Sequence, residues 1–233
     1  MKVTKKVYIA GPDVFEPNAV EVGQRLKAIA SEHGFEPLFP FDNEVDLENS
    51  PNPSLEIFLG NRDLIDAADI VIANLNPFRS DIEPDSGTVW EVGYAVGRGK
   101  PVIGYLASAE TMQQRILRVE GRPGEASAVT DRNGKTIEPF GHALNLMLVH
   151  SADLVVGDFE DACRRARASV ATAGSMTPVA RRSKVSARFS MSRRRCSPKA
   201  SSEAAARSDP AWKLGAPQRW ASRASRRASA KPA

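Results

Sequence analysis

Short apolar runs alternate with segments of helical periodicity along the first 174 residues of the chain. Predicted strands lie at residues 6–10, 35–39, 69–75, 100–106 and 152–156, and predicted helices lie at residues 21–33, 54–68, 86–99, 139–150 and 158–170. Parallel strands need a long, usually helical, connection between them, so this alternation is typical of a parallel sheet. The pattern therefore predicts an α/β fold with a doubly wound, five-stranded parallel sheet and helices on both faces.

The loops that follow these strands carry most of the residues suited to chemistry. Right-handed crossovers place all of these loops at one edge of the sheet, which is where ligands bind in open α/β folds. The residues expected there are Tyr8, Gly11, Pro12, Asp13, Asn61, Arg62, Asp63, Arg79, Asp85, Glu91 and Asn145. Taken singly, each has an ordinary structural explanation: Tyr8 is equally well read as a core aromatic, and Asp63 as a solvated helix acid.

The most informative of these loops leads into a helix predicted to begin at residue 86. Asp85 or Ser86 is the expected N-cap, and Glu91 follows Asp85 by six residues, about one and two-thirds helical turns. Two carboxyl groups near one helix start, in a ligand-binding cleft, suit a nucleophile and an acid. The alternative, in which Asp85 only caps the helix and Glu91 is a solvated helix residue, fits the spacing equally well.

The same residues disfavour several common kinds of site. The turn at Gly11 and Pro12 lacks the glycine-rich pattern that cradles a dinucleotide phosphate, and Asp13 would repel a phosphate there. The histidines and cysteines are scattered, without the spacing of a metal site or of a serine–histidine–aspartate triad. We therefore expect carboxylate chemistry with no cofactor and no metal.

Charge divides the chain into two unequal parts. Residues 1–174 carry 17 Lys and Arg against 26 Asp and Glu, whereas residues 175–233 carry 15 Lys and Arg against 2 acids. The second part is rich in Arg, Ser and Ala and has too few apolar residues to form a core. We expect a catalytic domain at 1–174 and a disordered basic tail at 175–233. Nucleic-acid binding by residues 193–195 with Trp212 and Trp220 is the less favoured alternative.

The sequence shows no apolar leader and no run long enough to cross a membrane. Its two cysteines do not make a disulfide framework, so a reducing compartment is expected. We therefore expect a cytoplasmic protein with small-molecule partners and no membrane partner.

Five short motifs, taken in order, resemble those of the nucleoside 2-deoxyribosyltransferases, most closely the form found in trypanosomatids and many bacteria. The motifs lie at residues 8–15, 40–44, 74–79, 83–93 and 145–148, and the resemblance covers roughly residues 3–170. Any one of these motifs occurs by chance, but five in order are specific. The resemblance implies a flavodoxin-like, or Rossmann-like, sheet.

The resemblance also implies roles for particular residues. Glu91 is the implied nucleophile, Asp85 protonates the leaving base, and Tyr8 orients Glu91. Asp63 helps to hold the base, and Asn145 reaches the sugar hydroxyls in a neighbouring subunit's site, which implies a homodimer or a higher homo-oligomer. Further substrate-binding residues implied by the matching motifs are Gly11, Pro12, Phe15, Arg79 and Gly87.

The function implied is transfer of 2-deoxyribose between nucleobases, with retention, through a covalent deoxyribosyl ester on Glu91. One alternative is hydrolysis of nucleosides or of deoxynucleoside 5′-monophosphates. The first loop, at residues 11–15, has no basic residue for a phosphate, which favours an uncharged 5′-hydroxyl. A second alternative is a non-catalytic domain that binds nucleosides or nucleotides, because a fold does not determine a function.

Overall fold

The structure, a computed structural model, describes residues 4–43, 45–46, 48–125 and 127–173. The tail predicted at residues 175–233, with residues 193–195, Trp212 and Trp220, lies outside the described residues. So does Glu44, the last residue of the second motif. The predicted domain boundary and the two interpretations of the tail therefore stay predictions.

Five strands form one parallel sheet. They are β1 (Lys5–Ala10), β2 (Phe35–Leu38), β3 (Ile70–Asn74), β4 (Val102–Leu106) and β5 (Asp153–Val156). All neighbours pair in parallel in the order β2-β1-β3-β4-β5. This is the flavodoxin-like order, in which the ligand-binding crevice lies where the winding reverses, between β1 and β3. The predicted fold class is thus confirmed.

Helices cover both faces of the sheet, as predicted. They are α1 (Ala19–Glu32), α2 (Pro53–Ala67), α3 (Ser86–Gly97), α4 (Met112–Val119), α5 (Leu146–Ser151) and α6 (Phe159–Ala173). Residues of α1 and α6 pack on one face, and residues of α2, α3 and α5 pack on the other. Two short 3-10 helices, Pro12–Phe15 and Pro40–Asp42, follow β1 and β2.

The strand period decides which face each residue of β1 serves. Successive side chains of a strand point to opposite faces. Val7 and Ile9 pack in the cluster with α1 and α6, whereas Tyr8 and Ala10 pack in the cluster with α2, α3 and α5. Tyr8, fully buried, is thereby directed toward α3.

Two of the helix starts that differ from the prediction have a clear local cause. The helix predicted at 54–68 is capped by Asn52, whose Oδ1 accepts from the Leu55 amide at 3.3 Å. Pro53, with its fixed φ and no N–H, occupies the first helical position, so the cap lies one residue earlier. The helix predicted at 139–150 begins only at Leu146. Gly141, at φ +67, interrupts the segment in the left-handed region.

The segment at residues 109–137, for which no helix is predicted, contains α4. Thr111 and Gln114 form a capping box at its start, in which each side chain accepts from the other residue's amide. None of the helices in the described part of the chain has the length and apolarity that a membrane crossing requires.

Candidate active site

Tyr8 and Glu91 meet at the centre of the site. The Tyr8 hydroxyl donates to Oε1 of Glu91 at 2.6 Å. β1 supplies Tyr8 from the sheet and α3 supplies Glu91 from the helix that covers it, so two rigid elements set the geometry. The structure therefore brings together two residues that lie 83 positions apart in the sequence.

The site raises the pKa values of both groups. Burial raises the pKa of the Glu91 carboxyl from 4.5 to about 7, against the hydrogen bond from Tyr8, which lowers it, and the negative charge of Asp85 raises it further. Burial, the charge of Glu91 and the hydrogen bond to it hold the pKa of Tyr8 far above its usual range. Tyr8 thus remains a neutral donor, while Glu91 exchanges its proton near neutral pH.

Asp85 is the N-cap of α3, which decides between the two predicted caps. Its Oδ2 accepts from the Thr88 amide at 2.9 Å and from the Thr88 hydroxyl at 3.0 Å. A Cβ on Gly87 would lie 3.0 Å from the same oxygen, so glycine there leaves room for the carboxylate over the helix start. Capping does not remove Asp85 from the site, because its charge acts on Glu91.

The first loop packs tightly against the end of β3. A Cβ on Gly11 would collide with the Asp13 carboxylate and with Cβ of Asn74. Pro12 is buried and begins the 3-10 helix that ends at Phe15. Gly11 and Pro12 therefore shape the loop, and Asp13 keeps a carboxylate at the edge of the site.

Asparagines that carried no predicted role link the strand ends. Nδ2 of Asn74 donates to Oδ2 of Asp13 at 3.2 Å, and Nδ2 of Asn76 donates to Oδ1 of Asn74 at 2.8 Å. The amide of Ala107 then donates to Oδ1 of Asn76 at 2.8 Å. This asparagine chain spans the loops after β1, β3 and β4. The sequence feature that could have indicated this chain of hydrogen bonds is the pair of asparagines at the end of an apolar strand.

Phe15, Phe78 and Arg79 form a stacked cluster at the same edge. The two rings lie 5.4 Å apart and nearly parallel, and the Arg79 guanidinium carbon lies 4.9 Å from each ring centre. Arg79 has φ 56, a left-handed conformation that a residue with a side chain seldom adopts. Phe15 is nearly half exposed, so the cluster presents an aromatic surface next to the first loop.

Asp63 lies apart from this arrangement. Its carboxylate accepts from Nη2 of Arg62 at 3.0 Å, and its side chain is 68% exposed. It lies about 160° around α2 from Ile65, which is buried against the sheet. Contact between Asp63 and a base therefore stays a prediction. Asp66 and Asp69 each form an ion pair with a basic residue, Asp66 with Arg98 and Asp69 with Lys5.

Asn145 lies on another flank of α3. Its Oδ1 caps α5 by accepting from the Met147 amide at 2.9 Å, and with Val89 and Gly93 it lines an open cavity of about 390 Å³. Val89 and Gly93 each lie about 160° around the helix axis from Glu91. Asn145 therefore lines a cavity on a different side of α3 from Glu91.

These groups support nucleophilic carboxylate chemistry. A carboxyl group that ionises near pH 7 is held by a neutral phenol beside a second carboxylate. Among the described residues, no three His, Cys, Asp or Glu side chains are placed to hold a metal ion.

A family model and a relative from another organism match the sequence of this chain. A sequence model of the family described as nucleoside 2-deoxyribosyltransferase matches residues 7–147. An uncharacterised protein of Schizosaccharomyces pombe is 30% identical over 155 residues, which are 60% of this chain and 74% of that protein.

Two solved structures are similar to this chain. A 2-deoxyribosyltransferase from Leishmania mexicana is 32% identical with a TM-score of 0.56, over 70% of this chain and 97% of that one. A conserved protein from Enterococcus faecalis shares the fold with a TM-score of 0.51 at 20% identity, over 72% of this chain and 99% of that one.

Proposed function

We propose that this chain, which belongs to the nucleoside 2-deoxyribosyltransferase family, moves 2-deoxyribose from one nucleobase to another through a covalent ester on Glu91. The observation that carries the proposal is the hydrogen bond of 2.6 Å from the Tyr8 hydroxyl to Oε1 of Glu91. It holds one carboxylate oxygen in place and leaves Oε2 to attack a sugar carbon.

In the first half-reaction, ionised Glu91 attacks C1′ of a deoxynucleoside. The O–C1′ bond forms as the C1′–N bond breaks, and the electron pair of the broken bond leaves with the base. The two carboxyl groups enter the step with one proton between them, and Asp85 delivers that proton to the departing base. Because deoxyribose lacks a 2′-hydroxyl, its oxocarbenium-like transition state forms readily, and one nucleophile with one acid is sufficient.

In the second half-reaction, a nitrogen of the acceptor base attacks C1′ and the ester bond to Glu91 breaks. The acceptor passes its proton to Asp85, so that the two carboxyl groups again carry one proton between them, as at the start of the cycle. Each half-reaction inverts C1′, so the product has the configuration of the substrate.

The helix cap suits Asp85 to this exchange of protons. Thr88 engages Oδ2 with two donors, so the proton that moves is carried on Oδ1. The cap also fixes the carboxyl group at the start of the helix that carries Glu91. Acid and nucleophile therefore keep a constant separation while the base and the acceptor are exchanged.

The first loop favours nucleosides over their 5′-monophosphates. Asp13 places a carboxylate beside Gly11, and residues 11–15 contain no basic residue. A phosphate held there would meet a like charge. The exposed rings of Phe15 and Phe78 provide a surface against which a nucleoside can pack.

We propose further that each site is completed by a second copy of the chain. Asn145 lines a cavity on a different side of α3 from its own Glu91, and the neighbouring Met147 is 68% exposed. Phe58, Trp90 and Tyr94 form an aromatic strip beside the site, with Phe58 and Trp90 exposed and successive ring centres 5.1 Å apart. A surface of this kind typically contacts another protein chain.

Mixing two inactive variants tests the shared site. Glu91→Ala keeps Asn145, and Asn145→Ala keeps Glu91, so a mixed pair contains one intact site. We expect activity to return after subunits exchange by dilution and reconcentration. Absence of rescue after exchange has been verified by mass spectrometry would contradict a shared site.

Incubation with deoxyinosine and adenine tests the proposed function. Chromatography should show deoxyadenosine and hypoxanthine formed in equal amounts. Release of hypoxanthine with free deoxyribose, and without deoxyadenosine, would identify a hydrolase instead. Binding of deoxyinosine without either product would identify a binding domain, and the Glu91→Ala variant is the matched control for all three outcomes.

A further inference from the structure

Arg115 is a buried cation in a segment to which no site residue had been assigned. It lies in the middle of α4, and only 3% of its surface is exposed. Nη1 donates to the carbonyl of Ile82 at 2.7 Å. Nη2 donates to the carbonyls of Ala143 at 2.7 Å and Glu110 at 3.0 Å. One guanidinium thus joins three backbone segments that are distant in the sequence.

Two of these segments lead directly to proposed site residues. Ile82 lies three residues before Asp85, and Ala143 lies two residues before Asn145. We infer that Arg115 is a positioning residue, which holds the segment bearing Asp85 and the segment bearing Asn145 in one fixed arrangement. This inference rests on the proposed function for its effect on catalysis, but its effect on the two segments does not depend on that function.

The loop before α3 transmits the position of Ile82 to the site. The Phe78 amide donates to the Glu83 carbonyl at 3.0 Å, and Pro77 and Pro84 form an antiparallel bridge. This closed loop carries Phe78 at one end and leads into Asp85 at the other. A shift of the Ile82 carbonyl therefore moves both the aromatic cluster and the acid.

The second segment is supported in a similar way. Glu138 accepts from Nδ2 of Asn145 at 2.5 Å and from the Leu146 amide at 3.0 Å. These bonds fix Asn145 locally, but they leave its distance from the loop before α3 to be set by another contact. Arg115 provides that contact through Ala143.

The chemistry of arginine suits this task better than that of other residues. Its planar fork presents several donors in a fixed geometry and stays charged, whereas lysine offers a single flexible point. Glu110, whose Oε2 lies 3.9 Å from Nε of Arg115, partly balances the buried charge. A buried charge is weak support for stability, because an apolar residue of the same size often serves a core as well. Placement of two segments explains its presence more directly.

Hydrogen exchange provides a test that is independent of catalysis. The Thr88 amide reports on the cap by Asp85, and the Met147 amide reports on the cap by Asn145. In Arg115→Met, we expect both amides to exchange about tenfold faster or more, as local openings become more frequent. Arg118→Met is the matched control, because Arg118 lies on the same helix and pairs with Glu110 but is exposed.

Transfer kinetics provide the second readout. Arg115→Met should slow the departure of bases that need protonation by about a hundredfold, because Asp85 is displaced. The departure of activated bases should slow by less than about tenfold, because Glu91 keeps its place and only the displacement of Asn145 affects them. For each class of base, the rate of Arg115→Lys should lie between the rates of the wild type and of Arg115→Met. The rates of Arg118→Met should match those of the wild type.

Several results would overturn the inference. Unchanged exchange at both amides in a folded Arg115→Met would do so, and so would equal rate losses for both classes of base. If Arg115→Met does not fold, Arg115→Lys replaces it, and failure of that variant to fold would show that the guanidinium serves the fold instead. Activity retained by Glu91→Ala would refute the proposed function alone, and the exchange result would stand.

Discussion

The two faces of the sheet are built from the same strands but serve different purposes. On the face covered by α1 and α6, Val7 and Ile9 pack in a hydrophobic cluster that includes the buried Cys163. On the face covered by α2, α3 and α5, Tyr8 lies in the core with its hydroxyl against Glu91. Adjacent residues of one strand can thus place an apolar side chain in one core cluster and a hydrogen-bonding group in the other.

The largest expected difference between the two faces is in how far a substitution lowers the rate of deoxyribose transfer. Glu91→Ala should reduce transfer by at least about a thousandfold, because a covalent nucleophile is lost. Its circular dichroism spectrum should match that of the wild type. Transfer within tenfold of the wild-type rate would refute the assignment of Glu91 as nucleophile.

The second difference is in stability, and it depends on pH. Glu91 has a pKa of about 7 in the folded protein, above its ordinary value, so its contribution is fully present below pH 4.5 and is lost as pH rises through 7. At about 1.4 kcal/mol for each pH unit between the two values, the loss approaches about 3 kcal/mol.

The Gln side chain in Glu91→Gln cannot ionise. The free energy of unfolding of this variant should therefore exceed that of the wild type by about 2 to 3 kcal/mol at pH 8.5 and should equal it near pH 4.5. Urea unfolding at one fixed protein concentration measures both values. Ile9→Val, on the apolar face, is the control, and should be destabilised by about 1 kcal/mol at both pH values. Parallel pH profiles for the two variants would contradict the raised pKa.

A smaller effect concerns the pH dependence of catalysis. The hydrogen bond from Tyr8 lowers the pKa of Glu91, and the charge of Asp85 raises it. Tyr8→Phe should therefore move the acidic limb of kcat/KM to higher pH, and Asp85→Asn should move it to lower pH. Asparagine is also a good N-cap, so α3 should stay intact. Shifts in the same direction for both variants would contradict the proposed electrostatics.

The sequence was sufficient to predict much of this arrangement. Buried parallel strands are continuous apolar runs, so the five strands could be located, and their carboxyl edge followed from chain topology. The family resemblance taken from five motifs is confirmed. The meeting of Tyr8 and Glu91 was predictable because a motif carried each of them.

Other features depend on contacts that no local pattern records. Arg115 donates to backbone carbonyls, and every residue has a carbonyl, so nothing in the sequence marks its partners. The late start of α5 depends on the left-handed conformation of Gly141, which glycine permits but does not require. The exposure of Asp63 depends on how α2 is rotated against the sheet.

The smallest effect expected is that of removing the basic tail. A chain that ends after Ala173 should keep the kcat/KM of the full chain within about twofold, because residues 175–233 contain too few apolar residues to contribute to a core. Its pI should fall well below the 9.2 of the full chain. Limited proteolysis is the check: resistance of residues 193–195 in the full protein would show that the tail is folded and would contradict the boundary at 174.

The asparagine chain across the strand ends has a consequence for protein engineering. Asn74 and Asn76 connect the first residues of three loops by hydrogen bonds, while Phe15 and Phe78 lie farther along those loops. A library intended to change base preference can therefore vary the outer positions freely, provided that both asparagines are kept. Variation at the asparagines would shift every loop at once and would confuse selectivity with misfolding.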